Sequence, residues 1–352
     1  MVGQTKYAPR RYQVLDTLRG FGAMYVLGYH VLQGYLHTST HLGVDFFFVI
    51  SGYLMAMAYF DRPGLDFLKF SWTRFARMYP LHLLTLLFAV FVNFLLQGGI
   101  HLGALWKSLL LVHNVGIGPA YLAFNYPSWT ISTEFWVNVG VAAIFFLPSK
   151  LRYSVLTVLA LGSFAVLFVH AETLNVSFAE IAYGLNGGLL RTTGGFIAGV
   201  GTYYLGKHWT KPIPDWWKLI AFFSFFAIIS SPDELGNYGL FAIPVFCWIT
   251  LCFTRAPSKV DEVFGRFHYL GDISYSIYLL HVPILLASEL IARDVFGISN
   301  FDLVRTNPIY FVSIMVGTVI LSHYVYQYFE APIYRNMRKW PDQLKRFDAL
   351  PK

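Results

Sequence analysis

Residues 43–60 read GVDFFFVISGYLMAMAYF, a stretch whose only charged side chain is that of Asp45. A helix needs about 20 mainly apolar residues to cross a lipid bilayer, and this stretch is close to that length. Hydrophobic residues make up 56% of the 352-residue chain and charged residues only 13%, whereas an ordinary soluble domain carries about 25% charged residues. A soluble globule and a disordered chain both fit poorly. We therefore expect an all-α, polytopic membrane protein.

The same apolar pattern recurs along the chain and predicts a bundle of ten membrane-spanning helices. Residues 104–114 are also apolar, but this piece contains Lys107 and is too short to span. We expect it to form an interfacial or re-entrant segment within a long external connection, 104–127. The predicted spans are 17–36, 43–60, 79–97, 128–147, 153–169, 185–206, 216–231, 237–254, 269–292 and 307–328.

The distribution of basic residues predicts the orientation of this bundle. Cytoplasmic loops carry an excess of Lys and Arg. If the N-terminus is cytoplasmic, only Lys107, Arg293 and Arg305 of the 26 basic residues fall in external connections, and Arg191 alone lies inside a span away from its ends. Both termini are then cytoplasmic. We expect one membrane domain over residues 1–340, a short tail over 341–352, and a first span that is retained rather than cleaved as a signal peptide.

Two other classes of binding site find little support in the sequence. The net charge is +7, but the basic residues do not cluster on one soluble module, so we expect no nucleic-acid partner. His37 and His41 have a spacing that occurs in zinc sites, yet no further ligand motif accompanies them. We expect no metal.

Ionisable residues within spans are costly in a bilayer and are therefore candidate functional residues. Arg19 and His30 lie eleven residues apart in the first span, which is three helical turns and about 16 Å of rise on one face. The pair presents a cation near the cytoplasm and a base in the outer half of the bilayer. The alternative is a snorkelling anchor and a structural histidine.

Further polar residues fall at matching depths. Asp45 lies near the level of His30 and could orient its imidazole or favour a helix N-terminus. Arg74 and Arg77 are three residues apart and could bind phosphates or anchor the helix at the membrane surface. Two polar stripes follow at helical spacing, one of Thr130, Glu134 and Asn138 and one of Ser274, Tyr278 and His281.

Together these motifs resemble acyltransferase family 3, a family of integral membrane proteins. The resemblance extends over about residues 15–335. It rests on the order and spacing of Arg19 with His30, GVDFFFVISGYL from Gly43, RFAR from Arg74 to Arg77, PSWTISTE ending in Glu134, SYSIYLLH ending in His281, and the terminal FEAP.

The resemblance implies transfer of an acyl group, usually acetyl, from cytoplasmic acyl-coenzyme A. The implied acceptor is a hydroxyl of a cell-surface polysaccharide, a lipid-linked saccharide or a similar molecule, and the implied location is the bacterial inner membrane. His30 and Arg19 correspond to the family's essential pair, and Arg74 and Arg77 to coenzyme A contacts. Threonine replaces the usual serine after Trp129. For acceptor binding we name Trp129, Ser132, Tyr278 and His281.

Two questions remain open at this level. His30 acts either as a general base, oriented by Asp45 or Glu134, or as a nucleophile that carries the acyl group. A transporter or flippase of a sugar or lipid-linked intermediate would also place polar stripes in a ten-helix bundle, although we find no internal repeat of the kind many transporters show.

Overall fold

Helices form nearly all the regular structure of the part of the chain that is described. The structure is a computed structural model that describes residues 12–32, 35, 38–61, 64–117, 123–182, 184–209, 211–298 and 300–341. The helices are α1 (Gln13–Val31), α2 (Gly43–Met55), α3 (Phe67–Gln97), α4 (Leu102–Leu109), α5 (Trp129–Ile144), α6 (Ser149–His170), α7 (Gly187–Gly206), α8 (Asp215–Ile229), α9 (Ala242–Phe253), α10 (Lys259–Phe264), α11 (His268–Asp272), α12 (Ser274–Asp294), α13 (Phe301–Arg305), α14 (Pro308–Val325) and α15 (Ala331–Met337).

Each predicted span coincides with a helix, and the largest difference is at the start of α3. This helix begins at Phe67 instead of residue 79, because the Asp66 side chain caps it by accepting the backbone N–H of Lys69. It ends at Gly98, whose positive φ of 73° suits a glycine. Its 31 residues give a length of about 46 Å, which exceeds the hydrocarbon core of a bilayer. Arg74 and Arg77 therefore belong to the helix itself.

Within the described part of the chain, five helical segments are long and apolar enough to cross a membrane. They are Ser39–Phe60, Phe67–Gln97, Ser149–His170, Ser274–Asp294 and Pro308–Met337. Large apolar side chains on two of them point away from the bundle, with exposed fractions of 69% for Val158 and 56% for Val312. Apolar faces of this extent are typical of contact with lipid rather than water.

The closest helix contact lies between α2 and α7 and depends on glycine. A Cβ atom at Gly52 would overlap the carbonyl oxygen of Phe196, and one at Gly199 would overlap that of Val49. Small residues at such positions let two backbones touch. This contact brings Asp45 of α2 beside Arg191 of α7.

The ends of the helices form two groups, which we call the arginine end and the histidine end of the bundle. At the arginine end, which includes Arg19, Arg74 and Arg77, Lys207 pairs with Asp61, and Trp72 donates to the carbonyl oxygen of Met337. At the histidine end, which includes His30 and His41, Ser39 donates to the carbonyl oxygen of Pro232, and Arg293 donates to that of Leu96. The two groups of contacts are those expected of helices that alternate in direction.

Two features depart from the predicted pattern. A short antiparallel hairpin, β1 (Glu180–Ala182) with β2 (Leu185–Asn186), precedes α7, whose first turn is capped by the Asn186 side chain. Helical structure also continues beyond residue 328, the predicted end of the last span. After α14 the chain makes a π-helical turn, Tyr326–Glu330, and continues into α15, where Pro332 lies in the first turn and needs no N–H partner.

Candidate active site

A cavity of about 200 Å³ lies inside the arginine end, between α1, α2, α3, α5 and α12. We call it the arginine cavity. It brings together the arginines of two separate sequence motifs and the glutamate of a third, although the sequence predicted this glutamate near His30. Its polar lining includes Arg19, Arg74, Arg77, Ser51, Glu134 and Tyr278.

The three arginines of this cavity differ in the contacts that fix their side chains. Arg77 pairs with the buried carboxylate of Glu330, whose second oxygen accepts from Ser276 at 2.6 Å. Arg19 lies 3.6 Å from Asp16. Arg74 contacts the rings of Tyr59 at 5.8 Å and Phe70 at 5.9 Å, and its buried Nε has no hydrogen-bond partner among the described residues. Arg74 is thus the cation best placed to receive an anion.

Glu134 belongs to the arginine cavity and not to the surroundings of His30. Its Oε1 accepts a hydrogen bond of 2.6 Å from Ser51, a residue that sequence reasoning did not single out. The sequence offered no signal for this contact, because Ser51 lies in the middle of an apolar stretch on another helix.

A second cavity, of about 320 Å³, lies at the histidine end and contains His30. We call it the histidine cavity. Trp129, predicted to bind the acceptor, lines it, and Tyr126, which was not predicted, packs edge-on against the His30 ring at 4.9 Å. Other lining residues are Tyr29, Thr40, His41 and Tyr278.

His30 has a histidine as its hydrogen-bond partner. Its Nδ1 lies 2.8 Å from Nε2 of His281, whose own Nδ1 lies 3.2 Å from the carbonyl oxygen of Ile277. A carbonyl oxygen only accepts, so Nδ1 of His281 carries the proton and its Nε2 accepts in the neutral ring. His30 then donates from Nδ1 and keeps the lone pair of Nε2 free to take a proton.

This arrangement corrects the expectation that Asp45 or Glu134 orients His30. Both oxygens of Asp45 accept from Arg191, at 3.2 Å from Nε and 2.6 Å from Nη2. Arg191 and Asp45 are almost wholly buried, and the guanidinium also lies 5.4 Å from the ring of Trp129. An unpaired buried charge would be costly, and the charge of Arg191, a basic residue predicted inside a span, is neutralised by Asp45.

Two of the predicted acceptor-binding residues are occupied by other contacts. Ser132 is fully buried, donates to the carbonyl oxygen of Leu111 and accepts from the backbone N–H of Asn114. It therefore fixes the chain after α4 rather than facing either cavity. His281 is also fully buried and contacts His30 instead of lining the cavity.

The cavities follow one another through the bundle. The arginine and histidine cavities share Val44 and Tyr278 in their linings. An entrance cavity of about 440 Å³ shares Arg19 and Arg77 with the arginine cavity, and at the other end a cavity of about 380 Å³ shares Tyr126 with the histidine cavity. The series runs from the arginine end to the histidine end.

A metal site can be considered only for the described residues. Within them, no group of three or more His, Cys, Asp or Glu side chains is arranged to hold a metal ion. His37, one member of the pair considered in the sequence, lies outside the described residues.

A helical bundle with exposed apolar faces and five helices long enough to cross a bilayer, among the described residues, is that of an integral membrane protein. The sequence model of the family described as "Acyltransferase domain" matches residues 12–327. The chain therefore belongs to this family, acyltransferase family 3. This assignment favours an enzyme over the transporter considered as the alternative.

Curated relatives agree with the family. "Acyltransferase MdmB" of Streptomyces mycarofaciens is 35% identical over 140 residues, 34% of this chain and 36% of the relative. "Putative O-acetyltransferase SAS0844" of Staphylococcus aureus is 23% identical over 373 residues, 94% of this chain and 58% of the relative. The chain therefore spans between about a third and three fifths of these relatives' lengths. No solved structure matches the chain.

Proposed function

We propose that the protein transfers an acyl group, acetyl in the simplest case, from acyl-coenzyme A to a hydroxyl of a cell-surface polysaccharide, a lipid-linked saccharide or a similar acceptor. The observation that carries this proposal is the series of cavities, which has three arginines at one end, one of them without an ion pair among the described residues, and a histidine with a free lone pair at the other. The family and the O-acetyltransferase name of a relative that aligns with 94% of the chain support the reaction class.

The proposal requires that the arginine end faces the cytoplasm, where acyl-coenzyme A is made. The excess of Lys and Arg in the connections at this end supports that orientation, ten spans and two cytoplasmic termini. A cysteine in place of the exposed Glu180 should react with an impermeant maleimide in intact bacteria, and one in place of the exposed Lys150 only after lysis. The reverse labelling pattern would place the arginine end outside the cytoplasm, away from the acyl-coenzyme A that the proposal requires.

Donor binding is assigned to the arginine and entrance cavities. Arg74 and Arg19 would bind phosphate oxygens of coenzyme A, since guanidinium groups bind phosphate through paired N–H donors. Arg77, held by Glu330 and stacked over Tyr275 at 5.4 Å, would add a fixed positive charge beside them. The thioester would then extend from the arginines towards His30.

His30 acts as the general base. Its Nε2 takes the proton of the acceptor hydroxyl while that oxygen attacks the thioester carbon. The C–S bond then breaks, and the thiolate of coenzyme A takes the proton back from the imidazolium, which leaves an ester and free coenzyme A. The hydrogen bond to His281 keeps the lone pair on Nε2 before attack and strengthens when His30 carries positive charge.

The acceptor reaches His30 from the histidine end. The Trp129 and Tyr126 rings of the histidine cavity would pack against a sugar, and the adjoining cavity that shares Tyr126 offers the polar side chains of Asn93, Gln97 and His101 to further hydroxyls. Membrane lipids surround the bundle, and the bacterial inner membrane is the location that fits both substrates. Residues 342–352 of the predicted tail lie outside the described residues.

Inverted membrane vesicles that contain the protein test this function. They should transfer radiolabel from [acetyl-¹⁴C]coenzyme A, added outside, to a saccharide fraction from which mild alkali releases it as acetate. Vesicles with His30→Ala should not, although the protein is present and folded. Movement of saccharide across the membrane in the absence of any acyl donor, without ester formation, would instead support the transporter.

A further inference from the structure

Val44 of α2 and Tyr278 of α12 form the boundary between the arginine and histidine cavities. Both side chains are buried, with exposed fractions of 5% and 7%, and they belong to one hydrophobic cluster. Thr130 donates a hydrogen bond of 3.3 Å to the Tyr278 hydroxyl. This hydrogen bond helps to fix the tyrosine ring where both cavities contact it.

This boundary separates the two ends of a bound donor. The arginines that would bind phosphates lie on one side, and His30 lies on the other. To reach His30 from the arginines, an acyl group attached to coenzyme A would pass the two side chains that both cavities share. The contact surface there is apolar on the Val44 side and aromatic on the other, so a charged acyl group would lose its hydration without gaining an ionic partner.

We propose that Val44 and Tyr278 determine which acyl group is transferred, and that they admit short, uncharged acyl groups and reject longer or anionic ones. The inference rests on the proposed function, because it concerns the donor of that reaction. The inference adds to the proposed function the chemical class of the acyl group and the two residues that select this group.

The test compares kcat/KM for acetyl-, butyryl- and succinyl-coenzyme A, measured as thiol release in membranes that contain the acceptor. Val44→Ala should raise the ratio of butyryl to acetyl transfer by about tenfold or more, since one methylene in an apolar pocket discriminates by roughly 10- to 200-fold. Val44→Ile narrows the passage and should lower this ratio. Succinyl transfer should stay low in both, because neither change supplies a cation.

Val49→Ala is the matched control. Val49 is on the same helix and fully buried, and it packs in a different hydrophobic cluster. The Val49→Ala variant should lose a similar amount of packing without a change in the ratio of butyryl to acetyl transfer. Tyr278→Phe and Thr130→Val remove the same hydrogen bond from opposite sides, so both should raise the butyryl ratio to a similar, smaller extent.

The outcomes separate the two proposals. If the wild-type protein releases thiol but Val44→Ala and Val44→Ile leave the ratio unchanged, or if Val49→Ala shifts it as much, then the boundary does not select the acyl group and only this inference is overturned. If folded wild-type protein releases thiol from none of the donors, the proposed function is overturned, and the inference with it.

Discussion

The Nδ1 atom of His30 lies 2.8 Å from the Nε2 atom of His281, across a sequence separation of 251 residues. The His281 ring is itself bonded to the Ile277 carbonyl oxygen, one helical turn earlier. A neutral histidine thus performs the orienting task that a carboxylate often performs in other sites. Neither ring needs a net charge in the resting protein, which suits a site buried inside a membrane bundle.

Replacement of His281 tests this orienting role. His281→Gln keeps an acceptor that can receive the Nδ1–H of His30, whereas His281→Leu removes it. We expect the leucine variant to lower kcat by roughly 10- to 100-fold, as loss of a partner that fixes a histidine tautomer does elsewhere, with little change in donor KM. The glutamine variant should retain most activity. Equal losses in both would show that His281 only fills space.

Substitutions of Arg74 and Arg77 are expected to differ in their effects on donor binding and on stability. Arg74→Ala removes a cation with no ion-pair partner among the described residues, so the donor KM should rise while the unfolding temperature stays near that of the wild type. Arg77→Ala also leaves the buried Glu330 unpaired. We expect a stability loss of about 2 kcal/mol, below that of a fully buried pair because Arg77 is partly exposed.

Glu330→Gln provides the control for that difference. In the Arg77→Ala background it removes the unpaired charge and should restore part of the lost stability without restoring donor affinity. Thermal unfolding in detergent and titration with coenzyme A measure the two effects. A stability loss in Arg74→Ala equal to that in Arg77→Ala would contradict the assignment.

The Asp45–Arg191 pair is expected to be structural. Both side chains are nearly inaccessible, and Asp45 accepts two hydrogen bonds from the guanidinium. Asp45→Ala leaves a buried cation unpaired and should destabilise the fold by about 3–5 kcal/mol. His30→Ala should not destabilise the fold to this extent. If Asp45→Ala protein unfolds at the wild-type temperature but is inactive, Asp45 acts in the chemistry instead.

A surface pair at the arginine end predicts a pH effect. The hydrogen bond from Lys207 lowers the pKa of Asp61 below its usual value. A carboxyl whose pKa is lowered by folding stabilises the protein above its unfolded pKa, and that contribution is lost as pH falls through the lowered value. Asp61→Asn should therefore cost less than about 1 kcal/mol at pH 7. The difference from wild type should vanish in acid; a difference that persists there would contradict the ion pair.

Much of the fold could be predicted, because hydrophobic length is a strong signal in a membrane chain. The ten predicted spans coincide with helices, while their number and orientation in a membrane remain predictions. The early start of α3 was missed, because residues 67–78 include Lys69, Arg74 and Arg77 and so fall below the hydropathy of a span. The π-helical turn before Pro332 was missed as well, since a proline normally indicates a helix end.

The site was predictable in its residue types but not in its pairings. Helical spacing placed Arg19 and His30 on α1 and Glu134 on α5. It did not reveal the ion pair between Arg191 and Asp45 or the hydrogen bond between His281 and His30, because these contacts join helices distant in sequence and depend on how the bundle packs. Depth alone made Asp45 a neighbour of His30, whereas the glycine contact between α2 and α7 directs it to Arg191.

The most direct measurement of the central claim is thiol release from acetyl-coenzyme A by purified protein with acceptor saccharide, beside calorimetric binding of the donor. We expect His30→Ala to bind acetyl-coenzyme A with wild-type affinity but to lose turnover by about 10²- to 10⁴-fold, the usual contribution of a general base. A folded His30→Ala protein that releases thiol at the wild-type rate would contradict the assignment of His30 as the base.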